Sequence, residues 1–125
     1  MRIALLTGLI AALVMTALPA QAEHLPDEYC SESDDVCLSS TRIDGGVRKL
    51  RIVLAAKYFD SYRLCVTGPN GEKTCERFDI EKFKGGQYGD KVRWSTNFPD
   101  EGSGEYDVVW RQGGDRLGDK LGFHQ

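Results

Sequence analysis

The sequence predicts an all-β fold, an antiparallel β-sandwich of about seven strands. Three observations carry that expectation. Large apolar residues alternate with polar ones at a period of two, most clearly in Tyr106, Val108 and Trp110 against Glu105, Asp107 and Val109. Turn signals punctuate the chain at roughly ten-residue intervals, among them Asp44-Gly45-Gly46, Gly68-Pro69-Asn70-Gly71 and Gln112-Gly113-Gly114-Asp115. No stretch of the chain after its first residues has the apolar spacing of an amphipathic helix.

The first residues form a separate unit. Arg2 precedes an apolar run from Ile3 to Leu18, and Ala20-Gln21-Ala22 has the small-residue pattern of a cleavage site. The run is shorter than the roughly 20 residues a membrane span needs. Residues 1–22 therefore read as a secretory signal peptide, and no membrane span is expected after its removal. Removal of those 22 from 125 residues leaves 103, enough for one domain with a modest core. Arg2 leaves with the leader, so fifteen basic residues face nineteen acidic ones, a net charge of −4. That balance argues against a nucleic-acid partner. A secreted location, extracellular or periplasmic, agrees with four cysteines, an even number.

Residues 23–46 read as an acidic N-terminal arm leading into a first strand at 38–43. Residues 47–125 read as the rest of one sandwich domain spanning 23–125. Val47 to Ala55 follows as a strand with Leu50, Ile52 and Leu54 on one face. Tyr62, Leu64 and Val66 alternate next. Pro69, Asn70 and Gly71 suit a three-residue hairpin loop that pairs Gly68 with Glu72. Counting outward, Cys65 then faces Cys75, at the separation a disulfide requires. Cys30–Cys37 follows by elimination. Phe78 and Ile80 continue the returning strand, and Lys82 to Asp90, with Gly85, Gly86 and Gly89, is expected to be a loop. Val92, Trp94 and Phe98 share a face. In the last strand, Asp119 has the parity of Leu117, Leu121 and Phe123, so Gly118 or Gly122 is expected to mark a bulge that spares a charge from the core.

Asp100-x-Gly102-x-Gly104-x-Tyr106, followed by an alternating strand, resembles the approach to strand F of immunoglobulin-like and fibronectin-III-like domains. The resemblance covers roughly residues 47 to 123. It implies an immunoglobulin-like β-sandwich in which the Tyr106 hydroxyl bonds back to upstream backbone. It also places Val92-Arg93-Trp94 on strand E and Leu117 to Phe123 on strand G. The pattern departs from antibody domains, because the core tryptophan falls on strand F and the cysteines do not bridge strands B and F. The layout is also similar to small secreted domains of bacteria.

No catalytic constellation is legible. His24 and His124 lie at opposite ends of the mature chain, and no nucleophile signature occurs. The carboxylate pairs Asp34/Asp35 and Asp100/Glu101 fall in hydrophilic turns, where solvated charges are the ordinary case. Zinc-type cysteine spacing is missing, and Glu32, Asp34 and Asp35 lack EF-hand spacing for calcium. Cleavage after Ala22 would put His24 second in the mature chain, where an amine and an imidazole can hold copper, but chance placement is the stronger reading. No metal and no cofactor are expected.

The residues that read best as binding elements are Lys82, Lys84 and Tyr88, from a glycine-rich basic loop, and Ser103 and Tyr106, from the turn before strand F. The expected function is a non-enzymatic binding module with a protein partner outside the cytoplasm. The alternative is an inhibitor of an exported hydrolase, a lysozyme or a protease. Gly102-Ser103-Gly104-Glu105-Tyr106 is similar to the loops some bacterial lysozyme inhibitors insert into their targets. An enzyme comes third.

Overall fold

Alternation of apolar and polar residues is realised as two antiparallel sheets. The computed structural model describes residues 24–43 and 45–125, so the signal-peptide reading of residues 1–22 lies outside the described residues. The strands are β1 (Glu28–Cys30), β2 (Val36–Arg42), β3 (Arg48–Leu54), β4 (Ser61–Thr67), β5 (Lys73–Asp79), β6 (Glu81–Lys82), β7 (Tyr88–Arg93), β8 (Glu105–Gln112) and β9 (Asp115–His124), with one helical turn, α1 (Trp94–Asn97). One sheet has the order β1-β2-β3-β7-β6 and the other β5-β4-β8-β9. Seven of the nine strands have six or more residues, and β1 and β6 have three and two. The all-β sandwich is therefore as the alternation predicts. Among the described residues, no helix is long and apolar enough to cross a membrane.

The core lies between the sheets and is built from the inward parity of each strand. Leu50, Ile52 and Leu54 on β3 face Tyr62, Leu64 and Val66 on β4, with Tyr106, Val108 and Trp110 on β8 beside them, all buried. The β4–β5 hairpin has the register its loop dictates. Gly68 N–H donates to the Glu72 carbonyl at 2.9 Å, Gly71 takes φ +85°, and Cys65 stands opposite Cys75. Both disulfides join directly opposed cysteines, Cys65–Cys75 and Cys30–Cys37, each with Cα atoms 4.1 Å apart. Two such bonds are the mark of an oxidising compartment.

Three local readings are corrected. Residues 82–90 are not one loop. Lys82 ends β6 and Tyr88 begins β7, joined by a tight turn in which Phe83 N–H donates to Gln87 at 2.7 Å. Gly89 is a strand residue opposite Val53, where a Cβ would run into the Ile52 carbonyl and the Phe83 ring. Glycine there serves close approach, whereas the sequence alone makes it look like looseness. Trp94 does not extend the strand before it. It opens α1, whose Phe98 N–H donates to the Trp94 carbonyl at 2.8 Å, and the four-residue spacing of a helical turn lets Trp94 and Phe98 both point inward. The N-terminal arm is partly sheet, since Glu28–Cys30 pairs with β2.

The expected bulge lies on β9. Pairing passes from Val108↔Leu121 to Trp110↔Leu117, so β9 carries two more residues than β8 across that interval. Gly118 sits there at φ +61° with the Tyr29 ring packed over it, and Asp119 is exposed.

Two polar contacts anchor the core. Tyr106 OH donates to the Gly102 carbonyl at 2.7 Å and accepts from Glu101 N–H at 2.9 Å. Its ring stacks on Phe123 at 5.0 Å, and both rings meet the edge of Trp94. Across the sheets, Tyr62 OH on β4 donates to Asp90 Oδ2 on β7 at 2.9 Å. Burial pushes the Asp90 carboxyl above its ordinary range, and the bonds from Tyr62 and Lys91 N–H only partly oppose that. Burial, and then the adjacent Asp90, push the Tyr62 phenol up as well.

Replacing Trp110 by Ala is expected to cost roughly 3–5 kcal/mol in urea melts. Trp110→Phe should cost far less, because the buried indole N–H has no protein acceptor among the described residues and the phenyl ring refills most of the volume. Tyr88→Ala should fall between the wild type and Trp110→Ala, because Tyr88 packs against the core and is half-buried. Equal midpoints for wild type and Trp110→Ala would contradict this packing.

Asp90 supplies a pH test. A carboxyl whose folded pKa exceeds its unfolded value favours the folded state below the unfolded pKa, and that contribution is lost as pH rises through the folded pKa. Stability should therefore fall as pH rises from about 4, the ordinary aspartate value, through the raised one. Asp90→Asn keeps an acceptor for Tyr62 and removes the charge, so its urea midpoint should equal or exceed the wild type at neutral pH, with the gap closing in acid. A gap of constant size across that window would show that Asp90 does not titrate in this way.

Candidate functional site

Sixteen basic and nineteen acidic residues would ordinarily neutralise one another across a small surface. Here the strand register segregates them. Outward residues of β3 and β7 pair as Lys49↔Arg93 and Arg51↔Lys91, a block of four cations on the outer face of the first sheet. On the second sheet, Arg77 of β5 faces Arg63 of β4, Arg63 faces Arg111 of β8, and Arg111 faces Arg116 of β9. These four arginines form a single rank across four strands. Like charges directly opposed across strands destabilise a sheet. Among the described residues, none of these eight cations lies within ion-pair distance of a carboxylate. The pairs that do form there are Lys57–Asp60 and the contacts of His24 and His124 with Glu105.

The face of the first sheet has an aromatic element. Phe83, at the tip of the β6–β7 hairpin, lies over Gly89 with Lys91 Nζ 5.4 Å and the Arg51 guanidinium 5.8 Å from its ring centre. Cations over an aromatic face are attracted by its quadrupole. Lys82 and Lys84 flank Phe83 and are exposed. Beside this block a shallow cavity of about 150 Å³ is lined by Thr41, Ile43, Lys49, Arg51 and Lys91. Ile43 is 37% exposed, one of two large apolar side chains so exposed among the described residues.

The residues singled out from sequence fall in three places. Lys82 and Lys84 join the cationic face of the first sheet. Tyr88 lies on β7 with inward parity and packs against the core, so it does not project from that hairpin. Ser103 is exposed in the turn before β8, between Gly102 at φ +92° and Gly104 at φ +140°, while Tyr106 is buried and holds that turn from beneath. The structure does not bring the hairpin lysines and the Ser103 turn into one site. The rank on the second sheet was missed, yet two of its three pairs were readable. The Pro69-Asn70-Gly71 loop already implies Arg63 opposite Arg77, and a two-residue Gly113-Gly114 turn implies Arg111 opposite Arg116.

The two histidines meet. His124 Nδ1 lies 3.0 Å and His24 Nδ1 3.6 Å from the same oxygen of Glu105, at an open cavity of about 640 Å³ whose lining includes Asp27, Arg42 and Arg48. The lining contains no serine, threonine or cysteine side chain. All four cysteines are in disulfides. The Asp34 carboxylate lies close to the Cys30 and Cys37 sulfurs, but those sulfurs are bonded to each other and are not thiolate ligands.

Neither a protein-family model, nor a curated protein, nor a solved structure matches this chain.

Proposed function

We propose that this protein is a non-enzymatic binding module that works outside the cytoplasm and holds an acidic protein partner on the outer face of its first sheet. The observation that carries the reading is the block of Lys49, Arg51, Lys91 and Arg93, without carboxylate partners among the described residues in a chain of net negative charge. A charge block held on paired strands is pre-organised, so little ordering entropy is lost on association. Phe83 and Ile43 supply apolar contact beside the charges, as interface anchors do. The reading of residues 1–22 as a secretory leader and the two disulfides support that location.

The finer fold reading belongs here as well. We read the sandwich as immunoglobulin-like. The order β2-β3-β7-β6 against β4-β8-β9 corresponds to strands ABED against CFG, with β5 added beside β4. The bond from Tyr106 OH to the Gly102 carbonyl corresponds to the tyrosine corner of that architecture.

Inhibition of an exported hydrolase is the second reading. It draws on the exposed Ser103 turn, which the buried Tyr106 hydroxyl braces through two bonds, from Glu101 N–H and to the Gly102 carbonyl. A braced protruding turn is the kind of element that enters an enzyme cleft.

Immobilised protein is expected to retain an acidic partner from the extracytoplasmic proteins of the producing organism. Lys49→Glu/Lys91→Glu should release it, since reversed rim charges repel, while Ser103→Trp should have no effect. Retention of a hydrolase that loses activity on binding, with Ser103→Trp abolishing the effect and the charge reversals not, would establish the second reading. Retention unaffected by either change would exclude both faces.

A further inference from the structure

We infer that the rank Arg77–Arg63–Arg111–Arg116 is a second, independent site, and that it binds a glycan carrying sulfate or phosphate esters. Guanidinium groups are planar forks that match tetrahedral oxyanions with two parallel hydrogen bonds, which a lysine ammonium does not. All four cations in the rank are arginines. Neighbouring strands lie about 4.8 Å apart, so four side chains in a rank span about 14 Å. One inorganic anion covers a fraction of that length, and the ligand must present several oxyanions in line.

The floor and surroundings narrow the class. A cavity of about 240 Å³ is lined by Arg63, Arg77 and Arg111 together with Ser61, Gln112, the Gly113-Gly114 turn and Tyr62, whose ring is buried in the core beneath and offers no stacking face. Gln112 and Ser61 bring neutral donors and acceptors of the kind that meet sugar hydroxyls. Arg111 Nη1 already donates to the Gly114 carbonyl at 3.5 Å, which holds one fork against the turn. The outward residues of β4, β5 and β8 include no aromatic side chain on which nucleic-acid bases could stack. The Cys65–Cys75 bond links the two strands beside the rank, two residues from Arg63 and Arg77. The opposed arginines repel one another in the free protein, and a bound oxyanion relieves that repulsion.

The test uses the full secreted protein, dextran sulfate as the probe, and neutral dextran, inorganic sulfate, inorganic phosphate and oligo-dT as comparison arms. Dextran sulfate should raise the melting temperature above that in sodium chloride of equal ionic strength. Inorganic sulfate or phosphate should raise it only slightly, and neutral dextran should leave it unchanged. Arg63→Gln/Arg111→Gln should weaken dextran sulfate binding by about tenfold or more, and the salt slope of binding should shrink by about one for each arginine removed. The same variant, without ligand, should melt at or above the wild-type temperature because all three repulsive pairs are gone, so lost binding cannot be ascribed to misfolding. An equal dextran sulfate response in wild type and variant overturns the inference. Tighter binding of oligo-dT at matched charge overturns the glycan assignment. A free-anion response equal to that of dextran sulfate overturns the in-line ligand. Lys49→Glu/Lys91→Glu is the control that separates this site from the face of the first sheet. Loss of dextran sulfate binding there, with Arg63→Gln/Arg111→Gln silent, would move the glycan to the other face.

Discussion

A buried phenol needs partners, and the corner of this sandwich is built to give them to Tyr106. Its hydroxyl would be costly to bury unpaired. The chain between α1 and β8 therefore folds back so that the Gly102 carbonyl and the Glu101 N–H reach it, at 2.7 and 2.9 Å. Gly102 and Gly104 take positive φ to make that path. The ring, once fixed, stacks on Phe123 across β8 and β9 and meets the edge of Trp94, so one residue ties the crossover, the second sheet and the helical turn together. Arg48 of the other sheet lies 4.8 Å over the Phe123 ring and closes the cluster. Desolvation at that position, with Arg42 nearby, lowers the Arg48 pKa.

With the interior settled by parity, most charged residues on the same strands point outward, Asp90 and Arg48 being exceptions, and register then decides which charges become neighbours. The outcome is two cationic faces. That arrangement works against stability, because opposed like charges repel and, among the described residues, none of the eight cations has a carboxylate within ion-pair distance. Many of the acidic residues occur instead in the N-terminal segment and in turns, as with Asp34, Asp35, Asp60 and Asp100. Features that cost stability without serving the core are where binding is to be sought. The same logic separates the histidine cluster from the cationic faces. His24 and His124 lie 3.6 and 3.0 Å from one Glu105 oxygen, so this exposed cluster sets its imidazoles against a carboxylate where the two faces oppose like charges.

Much of the fold was legible because the signals are local and redundant. Period-two alternation identified the inward residues of β3, β4 and β8, and the turn glycines identified the hairpins. The errors came where one residue type serves two purposes. Gly89 looked like loop because glycine usually marks looseness, but its missing Cβ makes room for the Ile52 carbonyl and Phe83. Trp94 and Phe98 looked like strand parity because an even spacing of four is shared by a strand face and a helical turn. Tyr88 was placed on a flexible loop for the same reason as Gly89, and its packing against the core follows once the strand is extended to reach it.

The arginine rank divides what sequence and structure each decide. The sequence by itself determined two of its three pairs, because a hairpin loop of known length sets register: Arg63 with Arg77, and Arg111 with Arg116. It also determined both disulfides and the inward faces, since these depend on near neighbours along the chain. Only the tertiary structure decided that β4 lies beside β8, which pairs Arg63 with Arg111 and joins two separate pairs into one line. No local signal specifies that contact. It follows from burying Leu64 and Val66 beside Trp110 and Val108 in one core, a requirement satisfied by the whole chain and by no segment of it.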